Sequence, residues 1–389
     1  MPLFELVVAL VSTFTVTSKK KAIADAHRNF ISLTGDKISR SSFWQRLANG
    51  KLVDFLEKAV LNFSFKIQQK ALSKLSWLSI FKDVFIYDAS PIRLPASLSN
   101  IFPGNRKNHS PACFKLSALY TMSMRGVQWL KLSDQKTHDS QILPDLEQLI
   151  GSLFLFDLGY FSHKFLYTLS KIDVWWICRL KANSVPIITR VVKGVAKRYI
   201  GCPLNEKVNL RGSIVEVMAK LMLPGNGFIE VRLIGFRFPK TKQYRWYATN
   251  LTTSMLLAEW IYPLYRLRWQ IELFFKSIKS VLNADQITSG NENIALAIVY
   301  SSILSSLIAS SMIIEEALAF SHVELKSITA QRLMTVYSNI AHTLAQCLVS
   351  KLIPNIFLQK KLHSLLHLLM CPNRKHRPTS LEVVVMLTF

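Results

Sequence analysis

A phenol, a carboxylate and two cationic side chains recur at helical spacing in the segment LYRLRWQIELFFKSIKS. Tyr265, Arg268, Glu272 and Lys279 lie at offsets of 0, 3, 7 and 14 residues. At about 100° per residue they share a roughly 60° arc of one helix face, with Lys276 close to the same line. The carboxylate can bind a metal ion, and the cationic groups can bind phosphates. The alternative is a solvated helix face with an ordinary Glu272–Lys276 ion pair.

Two aspartates follow short apolar runs that read as β-strands. Asp88 ends VFIYD and Asp157 ends LFLFD. An ionised side chain directly after buried residues is costly unless it points outward at a strand end or binds a cation. Phosphodiester chemistry with two divalent ions needs carboxylates from separate chain segments that meet at one place. For each aspartate alone, a turn or cap residue is the open alternative, and Asp83 is a weaker substitute for Asp88.

The elements that must position these groups form a mixed α/β sheet. Residues 80–180 predict the order strand, hairpin, helix, strand, helix, strand, with the hairpin turn at Arg125-Gly126 and the first helix around LPDLEQLIGS. Residues 185–245 alternate β-rich runs with Gly, Pro and Asn turns, which indicates an all-β insertion. Arg179 and Lys181 follow an apolar strand, where phosphate contact and a solvated strand end are equally good explanations.

Helical regions flank this sheet. Residues 1–75 read as basic helices suited to phosphate contact or groove insertion, although an ordinary solvated helical face is the open alternative. The predicted boundaries are 1–75, 76–290 and 291–389. The stretch from Ile294 to Ile314 has no charge and is long enough to span a bilayer. Its six serines and its position favour a buried core helix instead.

The charge of the chain indicates a polyanionic partner. Its 389 residues contain 48 Lys+Arg and 24 Asp+Glu, for a formal net charge of +24. Nucleic acid is the commonest such partner, and an anionic membrane surface is the second. The five cysteines are scattered without a CxxC or Cys/His cluster, which argues against a disulfide framework or a zinc site and fits a reducing cytoplasm. They are Cys113, Cys178, Cys202, Cys347 and Cys371.

The order and spacing of these motifs resemble a known family. Tyr265-x2-Arg268-x3-Glu272-x6-Lys279 resembles the Y-R-E-K signature of bacterial insertion-sequence DDE transposases of the insertion-sequence-4 type. Asp88-Ala89-Ser90 resembles the first aspartate motif of that family, and Asp157-Leu158-Gly159-Tyr160 resembles the second. Leu158 departs from the polar or basic residue often found there. The resemblance covers roughly residues 40–315.

This resemblance implies an RNase H-like catalytic core with an all-β insertion, between N- and C-terminal helical regions. Asp88, Asp157 and Glu272 would be catalytic and would bind two Mg²⁺ ions, for which Mn²⁺ can substitute. Tyr265, Arg268 and Lys279 would hold DNA phosphates, and Lys276 is placed with them by its helix face. Trp246 matches the tryptophan on which an extruded base stacks, with a core tryptophan as the alternative.

The implied function is Mg²⁺-dependent cleavage of DNA at transposon ends and strand transfer into target DNA. The partners would be double-stranded DNA, as terminal inverted repeats and target, and a second copy of the chain in an end-paired homodimer. The expected location is the bacterial cytoplasm, at the nucleoid and not in a membrane. Two other functions stay open: an RNase H-like nuclease without strand transfer, and a non-enzymatic basic DNA- or membrane-binding protein.

Overall fold

A computed structural model gives the fold of the chain. It describes residues 3–15, 23–69, 80–106, 110–123, 126–137, 141–205, 207–282, 287, 289–319, 330–351, 360 and 364–365. The strands in these ranges are β1 (Val84–Leu94), β2 (Pro103–Arg106), β3 (Ser110–Thr121), β4 (Gly126–Asp134), β5 (Leu153–Phe156), β6 (Trp175–Arg179), β7 (Ile187–Lys193), β8 (Ile214–Met222), β9 (Phe228–Arg237) and β10 (Tyr244–Thr249). The α-helices are α1 (Leu3–Thr13), α2 (Ile23–Thr34), α3 (Arg40–Leu47), α4 (Gly50–Gln69), α5 (His163–Lys171), α6 (Ala258–Arg266), α7 (Trp269–Leu282), α8 (Glu292–Ala319) and α9 (Ala330–Val349).

One mixed sheet runs through the molecule in the order β2-β3-β1-β5-β6-β10-β9-β8-β7, and β4 also pairs with β3. Strands β1, β5 and β6 are parallel, whereas β3 is antiparallel to β1. The four residues of β5 are all buried, as expected for a short central strand covered on both faces. The predicted mixed α/β class is confirmed, and this sheet is consistent with an RNase H-like core.

Two local predictions in this region have different outcomes. β3 and β4 form the predicted antiparallel pair, and β4 begins at Gly126, while Arg125 lies outside the described residues. The predicted helix around LPDLEQLIGS is wrong, because only Leu146–Leu149 form a 3-10 helix. Pro144 precedes this short helix, and Gly151 follows it with a φ of 73°, a left-handed conformation that glycine adopts readily and that ends helical structure.

The region predicted as an all-β insertion contains β7 to β10 and continues the main sheet. β10 pairs antiparallel with β6, so the insertion extends the same layer that holds the two aspartates. Arg232 on β9 and Glu216 on β8 form a buried ion pair at 2.7 Å. The Nη1 atom of Arg232 also donates hydrogen bonds to the carbonyl oxygens of Thr252 and Leu256, at 3.1 and 2.6 Å. This pair therefore ties the insertion to the segment that leads into α6.

Side-chain alternation divides the core between the two faces of the sheet. Val84 and Ile86 of β1 belong to one apolar cluster, which also includes α6, α7 and α8. Phe85 and Tyr87 belong to the other cluster, which includes α5. Since successive side chains of a strand point to opposite faces, Asp88 points to the same face as Ile86, beneath the helical layer.

Helices from both ends of the chain pack together on that face. α8 contacts α1, α4, α7 and α9, and four of its serines are fully or nearly fully buried. In the described part of the chain, Glu292–Ala309 is the stretch long and apolar enough to cross a membrane, and 78% of it is buried inside the protein. That burial supports a core helix. The domain boundaries near residues 75 and 290 stay predictions.

Candidate active site

The register between β1 and β5 brings the two aspartates side by side. Tyr87 pairs with Phe156 in parallel register, so Asp88 and Asp157 are the next residues on neighbouring strands and point to the same face. The prediction that Asp88 ends its strand is wrong. β1 continues to Leu94 because it still pairs with β3, whereas β5 stops at Phe156. Asp88 therefore has a neighbouring strand on one side only, and its other side is open toward Asp157.

The segment with the Tyr-Arg-Glu-Lys spacing is two helices rather than the single helix that was predicted. α6 ends at Arg266 and α7 begins at Trp269. Across the junction, the backbone N–H of Arg268 donates to the carbonyl of Tyr265 at 3.0 Å, an i,i+3 bond that tightens the chain. Apolar residues keep helical spacing on both sides, so the periodicity of the sequence could not detect the break.

The side chain of Arg268 lies among three carboxylates, those of Asp88, Asp157 and Glu272, which we call the acid triad. Its Nη1 atom is 3.2 Å from Oδ2 of Asp88, and its Nε atom is 3.9 Å from Oδ1 of Asp157. Its Nη2 atom donates a hydrogen bond to Oε1 of Glu272, one helical turn further on. The side chain of Arg268 is only 15% exposed. Acids from two strands and a helix thus meet around one cation.

The electrostatics of the acid triad favour a further cation. Three carboxylates surround one guanidinium, which leaves an excess of negative charge when all three are ionised. Burial is the main effect that raises the pKa of Asp88, the Ala89 N–H and Arg268 lower it, and the charges of Asp157 and Glu272 raise it, with a net pKa of about 6. A bound divalent ion would reduce the electrostatic repulsion among the three carboxylates.

The residue types of the acid triad fit a hard divalent cation, because such ions prefer carboxylate oxygens. In the arrangement seen here, the guanidinium of Arg268 lies between the carboxylates. Among the residues that the structure describes, no three His, Cys, Asp or Glu side chains lie close enough together to share one metal ion. Binding a shared metal ion at the acid triad would therefore require the three carboxylates to move closer together as well as Arg268 to move away.

The other residues of the signature are divided between the interior and the surface. Tyr265 is 7% exposed, and its hydroxyl donates to the carbonyl of Phe156 at 3.4 Å, directly before Asp157. Burial also raises the pKa of Tyr265. Lys276 and Lys279 are exposed on α7. Partial burial, and then the charge of Arg93, lower the pKa of Lys279. Contacts of these residues with DNA stay predictions.

Trp246 does not lie with the acid triad. On β10, Tyr247 faces α6 and its ring lies 5.1 Å from that of Tyr265. Trp246 therefore points to the opposite face of the sheet, where its ring packs over Gly235. Another tryptophan, Trp269, follows Arg268 directly in the chain and is 53% exposed. Sequence reasoning missed it, although its position between Arg268 and Glu272 was visible.

Arg179 lies one strand beyond Asp157 in the same row across the sheet. Leu155 pairs with Ile177, so Asp157 and Arg179, two residues further along each strand, are neighbours on the same face. Arg179 in turn pairs with Tyr247 on β10. Its side chain is exposed, which leaves a cation available next to the acid triad. Lys181 lies over the ring of Phe161, at 5.9 Å from the ring centre.

A mixed sheet with two aspartates on neighbouring parallel strands and a glutamate on the covering helix is typical of metal-dependent nucleic-acid enzymes. Residues 79–307 match the family model of the transposase DDE domain, so the chain belongs to this family. It is 26% identical over 293 residues to the transposase for insertion sequence element IS231E of Bacillus thuringiensis subsp. finitimus, covering 64% of this chain and 60% of the relative. It is 23% identical over 301 residues to the transposase for IS1151 of Clostridium perfringens, covering 67% of this chain and 63% of the relative.

These alignments span less than two thirds of the length of either relative. A solved structure, the cryo-EM structure of a piggyBac transposase synaptic complex with hairpin DNA, aligns with 96% of this chain and 77% of its own chain. The TM-score is 0.42 at 10% identity. The DDE family implies the use of divalent metal ions in general. The Y-R-E-K subtype stays a prediction.

Proposed function

We propose that this protein is a transposase that cleaves DNA at the ends of its own mobile element and joins the freed strand to target DNA. The observation that carries the proposal is the meeting of Asp88, Asp157 and Glu272 around Arg268, on one face of the sheet. Membership in the DDE family supports the same conclusion. Gathering distant acids around a largely buried cation adds little to stability, and such clusters are concentrated at functional sites.

The proposed metal ligands are the three carboxylates of the acid triad, with Mg²⁺ as the ion, two ions per site, and Mn²⁺ as a substitute. When bound, such ions activate a water or 3′-hydroxyl nucleophile and stabilise the leaving oxygen. The cationic residues around the site bind and orient the DNA backbone. Arg268 is suited to a bidentate phosphate contact, and Lys276, Lys279 and the exposed Arg179 provide single charges along the strand.

Tyr265 has a positioning role in this proposal. Its hydroxyl is bonded to the last carbonyl of β5, so it fixes the chain at the point where Asp157 begins. A buried phenol under the site does not contact phosphates in the arrangement described. Contact with DNA would require Tyr265 to leave the core, where its ring packs against Tyr247.

The proposed partners are double-stranded DNA, as terminal inverted repeats and target, and a second copy of the chain in an end-paired homodimer. The N-terminal helices are the proposed DNA-binding region. On α3, Arg40, Trp44 and Arg46 are exposed while Phe43 and Leu47 are buried, and Ser39 caps the helix. A basic exposed helix face of this kind suits a DNA groove. The proposed location is the bacterial cytoplasm, at the nucleoid.

The test is the substitution Glu272→Gln, assayed on linear DNA that carries the element's own end, in Mg²⁺. Cleavage and strand transfer should both fall below detection, because the amide is a poor metal ligand, while binding of the same DNA persists. Glu259→Gln is the matched control, since Glu259 is an exposed glutamate on α6 that pairs with Lys193 at the surface. It should retain full activity.

Retained cleavage by Glu272→Gln would refute the assignment of the acid triad. Cleavage without any strand transfer by the wild-type protein would instead favour an RNase H-like nuclease. DNA binding with neither reaction, unaffected by substitutions at all three acids, would favour a non-enzymatic DNA-binding protein.

A further inference from the structure

Resting on the proposed function, we infer that Arg268 is an autoinhibitory counter-ion that occupies the metal-binding space of the acid triad until a DNA phosphate draws it away. The free protein would then bind divalent ions weakly, and DNA would increase its affinity for them. The acid triad would become competent only when its nucleic-acid substrate is present.

The contacts of Arg268 differ from those of an ordinary helix salt bridge. An i,i+4 pair on a solvated helix would account for the contact with Glu272 alone. The contacts with Asp88 and Asp157 join the turn between α6 and α7 to β1 and to the end of β5, more than a hundred positions away in the sequence. A single side chain therefore neutralises acids from all three elements that build the site.

Arg268 is the shared ionic partner of the acid triad. Within the described ranges, each of the three carboxylates has its ion pair with Arg268 and with no other cation. Asp88 has in addition the backbone N–H of Ala89, which donates to Oδ1 at 2.8 Å. A divalent ion that binds the same oxygens must displace the guanidinium, and this displacement reduces the apparent affinity for the ion.

Phosphate is the natural competitor for this guanidinium. Arginine binds carboxylate and phosphate through the same planar fork of donors, so a DNA phosphate can replace the carboxylates without loss of hydrogen bonds. Arg268 lies in the turn between α6 and α7, not inside a helix. The inference requires its long side chain to swing outward from this turn. The binding of DNA and of metal would therefore each strengthen the other, as reciprocal linkage requires.

The experiment measures Mn²⁺ binding to the full chain without DNA, by electron paramagnetic resonance or calorimetry. Arg268→Gln should bind Mn²⁺ at least about tenfold more tightly than the wild type. Addition of a short DNA duplex should increase the affinity of the wild type by a similar factor and leave that of Arg268→Gln nearly unchanged. Arg266→Gln is the matched control, because this arginine lies over the ring of Tyr262, 6.0 Å from its centre, and should match the wild type.

Asp88→Asn tests whether the ion binds at the acid triad, because it should weaken Mn²⁺ binding both in the wild type and in Arg268→Gln. Arg268→Lys keeps the charge without the fork and should bind Mn²⁺ with intermediate affinity, which tests the idea if Arg268→Gln fails to fold. Equal or weaker Mn²⁺ binding by both folded variants would overturn the inference while leaving Mg²⁺-dependent cleavage intact. If Asp88→Asn changed nothing, the metal site itself, and with it the proposed function, would be wrong.

Discussion

Replacing Arg232 with methionine should destabilise the protein strongly, because this arginine is a buried charge with several partners. Its side chain is 2% exposed, and that of its ionic partner Glu216 is 7% exposed. Methionine fills a similar volume but leaves the carboxylate of Glu216 unpaired between β8 and β9. It also removes the donor that serves the carbonyls of Thr252 and Leu256. Breaking a buried pair from one side costs about 3–5 kcal/mol.

The assay is urea unfolding followed by tryptophan fluorescence, with a matched control on the same strand. Arg237→Met removes an exposed arginine from β9 and should change the free energy of unfolding by less than about 0.5 kcal/mol. The double variant Arg232→Met/Glu216→Leu removes both charges, so it should be more stable than Arg232→Met alone.

Two results would refute this reasoning. One is a loss of less than about 1 kcal/mol for Arg232→Met, which would mean that the pair is solvated. The other is strict additivity in the double variant, which would mean that the two side chains do not interact.

Three further predictions concern the site. Because burial raises the pKa of Asp88 from 3.8 to about 6, the folded state binds this proton more tightly than the unfolded chain does, so stability present below pH 3.8 is lost as the pH rises toward 6. Without divalent ions that loss is up to about 3 kcal/mol. In urea unfolding, the free energy of unfolding of Asp88→Asn should therefore depend less on pH in this range than that of the wild type. The same pH dependence for both proteins would contradict this prediction. Tyr265→Phe should cost about 0.5–1.5 kcal/mol of stability, measured by urea unfolding, without changing the salt dependence of DNA binding, and a smaller salt slope would instead indicate a phosphate contact. In a gel-shift titration, Trp269→Ala should weaken binding of a DNA end more than Trp246→Ala does. The reverse order would mean that the tryptophan on which a base stacks lies on the face of the sheet opposite the acid triad.

The sequence was sufficient for the features that depend on local pattern. Apolar and β-rich runs bounded by turn residues marked most of the strands, and short-range spacing marked Arg268, Glu272 and Lys279 as candidate site residues of one segment. The uncharged stretch from Ile294 was correctly interpreted as a core helix, since 78% of Glu292–Ala309 is buried, including four of its serines. Such features are visible in sequence because they reflect the environment of each residue within one element.

Only the tertiary structure decided what depends on register and on packing between elements. The parallel pairing of β1 with β5 sets Asp88 next to Asp157, and no local pattern encodes that register. The turn at residues 267–268 directs Arg268 into the acid triad, although the apolar spacing continues through it. Strand alternation places Trp246 and Tyr247 on opposite faces of the sheet. Which of these faces carries the site is decided by the packing of α6 and α7 on the sheet. Composition and spacing therefore determined which groups could do the chemistry, and long-range pairing determined where they meet.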